Sequence, residues 1–135
     1  MSAVLTVKDH KGNQFNVQRA SAVDQKSLLL ILGTRLNNLQ LIAKQRGDAK
    51  LLGDTNTIVG MLMGLDESTF DRVTSLVASQ LIPNGTNTPV DIKHFQNNMI
   101  GYFTVVAELV RGNLEDFFTW LTDGLNDAPD NQTPQ

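Results

Sequence analysis

The chain has 135 residues, 41% hydrophobic and 19% charged, which suits one folded domain with its own core and excludes a wholly disordered chain. Its net charge of −3, with eleven Lys and Arg that gather into no stripe, excludes a dedicated nucleic-acid binder, because neutralising phosphates needs a basic face. The lack of cysteine removes disulfides, thiolate zinc sites and cysteine nucleophiles together, and agrees with a reducing compartment.

The opening residues Met1 to Lys8 have no basic region followed by an apolar core and a small-residue cleavage site, so no secretory signal is expected. The longest apolar run, Ser27 to Gly33, is too short to span a bilayer, and a soluble protein without membrane association is predicted. Val4 to Lys8 and Gln14 to Gln18 each alternate apolar and polar residues. Between them lies Asp9 to Asn13, whose Gly12 and Asn13 tolerate positive φ, so the stretch from about residue 3 to 19 reads as a β-hairpin. A lone hairpin is marginal in water. Its apolar face is therefore expected to lie on the helices that follow, or its free edge to pair with another copy.

From Ser21 the period becomes helical. Ser21 suits a cap, Asp24 complements the helix dipole, and Leu28 to Leu32 supply a wide buried face. Gly33 is expected to break this helix into two pieces, the second carrying Leu36, Leu39, Leu41 and Ile42 up to Gly47. Asp54 precedes a short helix with Ile58, Val59, Met61 and Leu62, closed by Gly64. Asp66 or Ser68 starts the next, in which Ser68 and Asp71 resemble a capping box and Phe70, Val73, Leu76, Val77 and Leu81 share a face. Pro83 to Pro89 is a loop by its prolines and its Asn-Gly pair.

The strongest helical pattern begins at Asp91, with Ile92, Phe95, Met99, Tyr102, Val106 and Leu109 spaced by threes and fours. Gly112 is expected to end it, Asn113 to cap the next helix, and Glu115 and Asp116 to sit in that helix's first turn. Gly124 then closes the last helix, leaving residues 126–135 as a disordered tail. The predicted architecture is mainly α: a small helical domain over residues 1–125, of about five helices with an N-terminal β-hairpin.

No catalytic constellation emerges. His10 and His94 lack a partner at metal spacing, and no metal site or cofactor is expected. The carboxylates cluster at helix starts, where capping accounts for them, and the serines sit in helices without a nucleophile elbow. Gly60 to Gly64 lacks the lysine and hydroxyl of a phosphate loop. Met61, Met63, Leu65 and Met99 read as core methionines and leucine, or as an adaptable apolar surface. Phe117, Phe118 and Trp120 pose the same choice more sharply: residues this close on a helix project in different directions and do not all bury against one neighbour. Both readings of these rings, interface anchor and core lock, stand open at the level of sequence.

The order of features from Phe15 to Trp120 resembles the tail assembly chaperones of long-tailed bacteriophages. Three places carry the resemblance: Arg19-Ala20-Ser21-Ala22 with Asp24-Gln25-Lys26, Asp91-Ile92-Lys93-His94-Phe95, and Gly112-Asn113-Leu114-Glu115-Asp116-Phe117-Phe118. The last matches the family's Asn-x-x-Asp-Phe-Phe-like ending through Asn113, Asp116, Phe117 and Phe118. Leu36 to Gly53 fits the pattern least well and reads as an insertion.

The resemblance implies a non-enzymatic protein of the host bacterial cytoplasm. Such chaperones bind the tape-measure protein, keep its apolar helical surface from aggregating, help recruit tail-tube protein subunits, and leave before the virion is complete. Some are also made in a longer frameshifted form. On this basis Tyr102, Phe103, Asn113, Asp116, Phe117, Phe118 and Trp120 are the candidates for partner binding, or for the self-assembly contact of a homo-oligomer. The alternative is a structural phage protein, such as a head–tail joining or minor tail component, which would stay in the particle.

Overall fold

A computed structural model describes residues 3–131. The hairpin forms as the alternation predicts: β1 (Val4–Lys8) pairs antiparallel with β2 (Gln14–Gln18), with Leu5 opposite Val17 and Val7 opposite Phe15. Its loop is pinned by Asp9, whose carboxylate accepts from the backbone N–H of Lys11, the backbone N–H of Asn13 and the Asn13 side chain, each at 2.9 Å. Gly12, at φ +89°, takes the left-handed conformation that the turn requires. A short third strand, β3 (Ile82–Pro83), whose second residue opens the expected Pro83 to Pro89 loop, adds to β2. Pro83 is tolerated there because β3 lies at the edge of the sheet, where a missing N–H breaks no ladder.

Five α-helices follow among the described residues. The first, α1 (Ala22–Arg46), is continuous, which corrects the expected break at Gly33. Leu28, Leu32, Leu36 and Ala43 bury one face along its whole length, at about 1.5–3 kcal/mol for each leucine. That outweighs the roughly 1 kcal/mol that one interior glycine costs. Ser21 caps the start, accepting from the Asp24 N–H at 3.2 Å, and Gly47 ends it at φ +64°. A 3-10 turn (Ala49–Gly53) buries Leu52 completely, so Leu36 to Gly53, which fitted the family pattern least, helps build the core.

The next two helices are α2 (Thr55–Met63), closed by Gly64, and α3 (Glu67–Val77). Of the two starts offered for α3, Asp66 is the cap: it accepts from the N–H and hydroxyl of Thr69 and from the Ser68 hydroxyl. Ser68 is thereby drawn back to Asp66 and caps nothing itself.

The strongest predicted helix is shorter than its pattern. Ile92–Phe95 form a 3-10 turn capped by Asp91, Asn97 sits at φ +67°, and α4 (Met99–Asn113) starts only after it. Phe95 keeps its place in the stripe by packing, 5.4 Å from the ring of Phe15 and 5.3 Å from that of Tyr102. Helix α4 runs through Gly112, correcting the predicted end there, and α5 (Glu115–Asn131) follows directly. Helix α5 likewise continues through Gly124, where its end was expected; residues 132–135 of the expected tail lie outside the described residues.

Helix α4 is the centre of the domain. It packs on β1, α2, α3 and α5, while Tyr102, Val105, Val106, Leu109 and Val110 are buried around its circumference. The mainly α fold with an N-terminal hairpin is therefore the fold observed, with the hairpin's apolar face on α4.

Candidate partner-binding surface

The two sequence motifs farthest apart in the chain meet. The Arg19 guanidinium donates to the Gly112 carbonyl at 2.9 Å, and the Asn113 side-chain oxygen accepts from the Ala20 N–H at 2.8 Å. The Asn113 amide also donates to the Leu109 carbonyl at 2.9 Å. With both ends of its amide engaged, Asn113 is buried and does not cap α5, as the sequence reading expected. Gly112 is explained by the same docking: a Cβ there would come within 3.1 Å of Leu5 Cδ1, so glycine lets β1 settle against α4. These residues form a latch between the hairpin's exit and the junction of α4 with α5.

Tyr102 and Phe103 belong to a different place. Tyr102 is buried against Phe95 and Phe70, and burial, reinforced by the charges of Asp71 and Asp91 and opposed by a bond with Thr74, pushes its hydroxyl pKa upward. Phe103 is half-buried and stacks on Phe70 at 4.7 Å. The two rings lock α3 to α4.

The remaining aromatics divide by direction. Phe118 is buried with Leu121 under α5. Phe117 is half-buried, and Trp120, one turn on, is 66% exposed with its ring 5.7 Å from that of Phe117. Asp116 is exposed in the first turn, where its carboxylate accepts from the Phe117 N–H at 2.8 Å. Phe117, Trp120, Asp116 and Leu114 form one wall of a groove of about 440 Å³. Ala22, Gln25, Lys26 and Leu29 of α1 form the other.

Alongside this groove, the outer face of α1 carries apolar side chains, which corrects the buried face expected over all of Leu28 to Leu32. Val23 is 66% and Leu30 75% exposed, and Leu41 is exposed on the same side. A signal was present: at 100° per residue Leu30 lies more than half a turn from Leu28, so the run Leu28 to Leu32 wraps past any single buried face. The methionine group divides too. Met61 and Leu65 pack on the core, whereas Met63 and Met99 are exposed.

A second groove of about 450 Å³ lies between β1, α4 and α5, and holds the Arg111–Glu108 ion pair at 2.9 Å. Glu108 also accepts from the Thr55 hydroxyl, tying α4 to α2. Among the described residues no group of His, Asp or Glu is arranged to hold a metal ion, and no helix is long and apolar enough to cross a membrane. What the molecule presents is an uncovered apolar strip over α1 and α5.

A family model described as "Phage tail assembly chaperone protein, TAC" matches residues 11–126, from the hairpin loop well into α5. Searches of curated proteins and of solved structures return no match.

Proposed function

This chain belongs to the phage tail assembly chaperone family, and we propose that it binds the tape-measure protein through the apolar strip over α1 and α5. In this reading the chaperone works without catalysis in the host bacterial cytoplasm. It shields the apolar helical surface of the tape-measure protein, assists the arrival of tail-tube protein subunits, and is released before the virion is complete.

The observation that carries the reading is Trp120, the sole tryptophan, held largely in solvent beside Phe117 and a groove lined by Leu29 and Leu114. Tryptophan is enriched among the residues that dominate protein interfaces, because its ring brings a large apolar area to the contact. Exposed Val23 and Leu30 extend the strip along α1, which suits an amphipathic helix lying in a groove. Such a surface is apolar enough to compete with aggregation, and a contact lacking deep pockets is weak enough to be displaced.

Co-expression with the tape-measure protein tests this. The expected result is a soluble complex that Trp120→Ala or Leu30→Ser weakens, with the chaperone absent from purified virions. An insoluble tape-measure protein and no recovered complex would remove the reading, and retention in virions would favour a joining or minor tail component.

A further inference from the structure

The sheet ends at β1: its order is β1-β2-β3, and among the described residues no strand pairs with β1 on its other side. The ladder fixes which main-chain groups that edge presents. The Arg19 N–H donates to the Ala3 carbonyl and the Asp9 N–H to the Asn13 carbonyl, so in this register Ala3, Leu5, Val7 and Asp9 turn their N–H and C=O toward β2. Thr6 and Lys8 fall in the pairs between and turn theirs outward, and both residues are exposed.

Beside this edge runs the groove of about 450 Å³ between β1, α4 and α5, with Leu5, Thr6 and Val7 along one wall. The other wall is a single face of α5, since Glu115, Phe118, Thr119, Thr122 and Asp123 recur at three and four residues. Phe117 and Trp120 line a different groove from the other side of that helix, so this trough and the apolar strip are separate surfaces. From Glu115 to Asp123 the wall runs about 12 Å, at 1.5 Å per residue. Three or four residues of extended chain cover that length, at about 3.4 Å each. Charge gives the trough a sign. Glu108 is paired with Arg111, whereas Glu115 and Asp123 are exposed and, among the described residues, in no ion pair.

We propose that the trough takes an extended, basic segment of a partner protein, which adds to β1 as a further strand and sets Lys or Arg against Glu115 and Asp123. The outward N–H and C=O groups of Thr6 and Lys8 pair with the main chain of the segment, and the two carboxylates select its charge. A second copy of this chain does not suit the place. Pairing β1 with β1 would bring two α5 walls toward one another, and α5 carries several acidic residues with no Lys or Arg. The trough is distinct from the strip assigned to the tape-measure protein, so either assignment stands or falls without the other.

Nuclear magnetic resonance of the full chain with the end-blocked peptide Thr-Val-Arg-Val-Arg-Val-Thr tests the proposal. In the free chain the Thr6 and Lys8 amides should exchange with solvent faster than those of Leu5 and Val7. Peptide at about 1 mM should slow their exchange at least about tenfold and shift the Glu115, Thr119 and Asp123 resonances, leaving the Trp120 indole unmoved. The same peptide with Glu in place of Arg should bind at least about tenfold more weakly. Thr6→Pro removes a donor that β2 does not use, so the hairpin should form while peptide binding is lost. If that variant does not fold, Glu115→Lys with Asp123→Lys replaces it and should reverse the preference between the two peptides. Thr6 and Lys8 amides unchanged by peptide, equal binding of the Arg and Glu peptides, or a folded Thr6→Pro chain that still binds would each overturn the proposal. So would protection of Thr6 that rises with chain concentration alone, which would give the edge to a second copy.

Discussion

Helices α4 and α1 are both rich in apolar residues, yet one is covered around most of its circumference and the other along one face. Helix α4 meets β1, α2, α3 and α5, so Tyr102, Val105, Ala107 and Val110 are buried although they point in different directions. Helix α1 buries Leu28, Leu32 and Leu36, while Leu30 and Val23 face out with nothing among the described residues over them. The same contrast divides α5 within one turn, with Phe118 under the helix and Trp120 on top. Coverage by neighbouring elements, rather than residue type, separates the rings that hold the fold from those available to a partner.

The comparison breaks most visibly at Phe118. Phe118→Ala should lower unfolding free energy by about 3–5 kcal/mol in a urea titration, because a buried ring leaves a cavity that its neighbours only partly close. If stability were unchanged, Phe118 would belong with the surface. The latch comes next. Asn113→Ala strands the Ala20 N–H and should cost about 1–3 kcal/mol. Gly112→Val presses a branched side chain onto Leu5 and should cost about 1–3 kcal/mol by the same measurement.

The hairpin loop adds a pH dependence. Burial pushes the Asp9 carboxyl up, but its bonds with Asn13 and Lys11 outweigh that and hold its pKa below the ordinary 3.8. A carboxyl depressed on folding contributes stability that is fully present above 3.8 and lost as pH falls through the lowered value. A carbon-detected NMR titration should place the Asp9 midpoint below 3.8, and Asp9→Asn should flatten the acid side of the stability curve. The smallest effect on folding is expected at Trp120. Trp120→Ala should change stability by only about 0.5 kcal/mol while weakening partner association at least about tenfold.

The hairpin and the helix content were legible because each is written in local pattern: alternation in β1 and β2, and a cap, a stripe and a glycine around α1. The strand β3 was not, since two residues ending in proline carry no strand signal and pair only because β2 presents an edge. The break at Asn97 hid inside a stripe that Phe95 continues through space. Asn113 misled for a related reason. An asparagine between two helices looks like a cap, and its actual partner, Ala20, is remote in sequence. Of the candidate site, Phe117, Asp116 and Trp120 lie together on the groove, whereas Tyr102, Phe103, Phe118 and Asn113 serve the core and the latch. Leu30 was expected in the buried face because a leucine-rich run reads as core until the packing reveals which side is covered.

The fluorescence of Trp120, the sole tryptophan, measures the central claim directly, since it reports from the surface without any substitution. Adding tape-measure protein should shift its emission to shorter wavelength and protect it from a soluble quencher. A complex that forms while Trp120 keeps the emission and quenching of the free chain would contradict the assignment of the α1 and α5 strip as the binding surface.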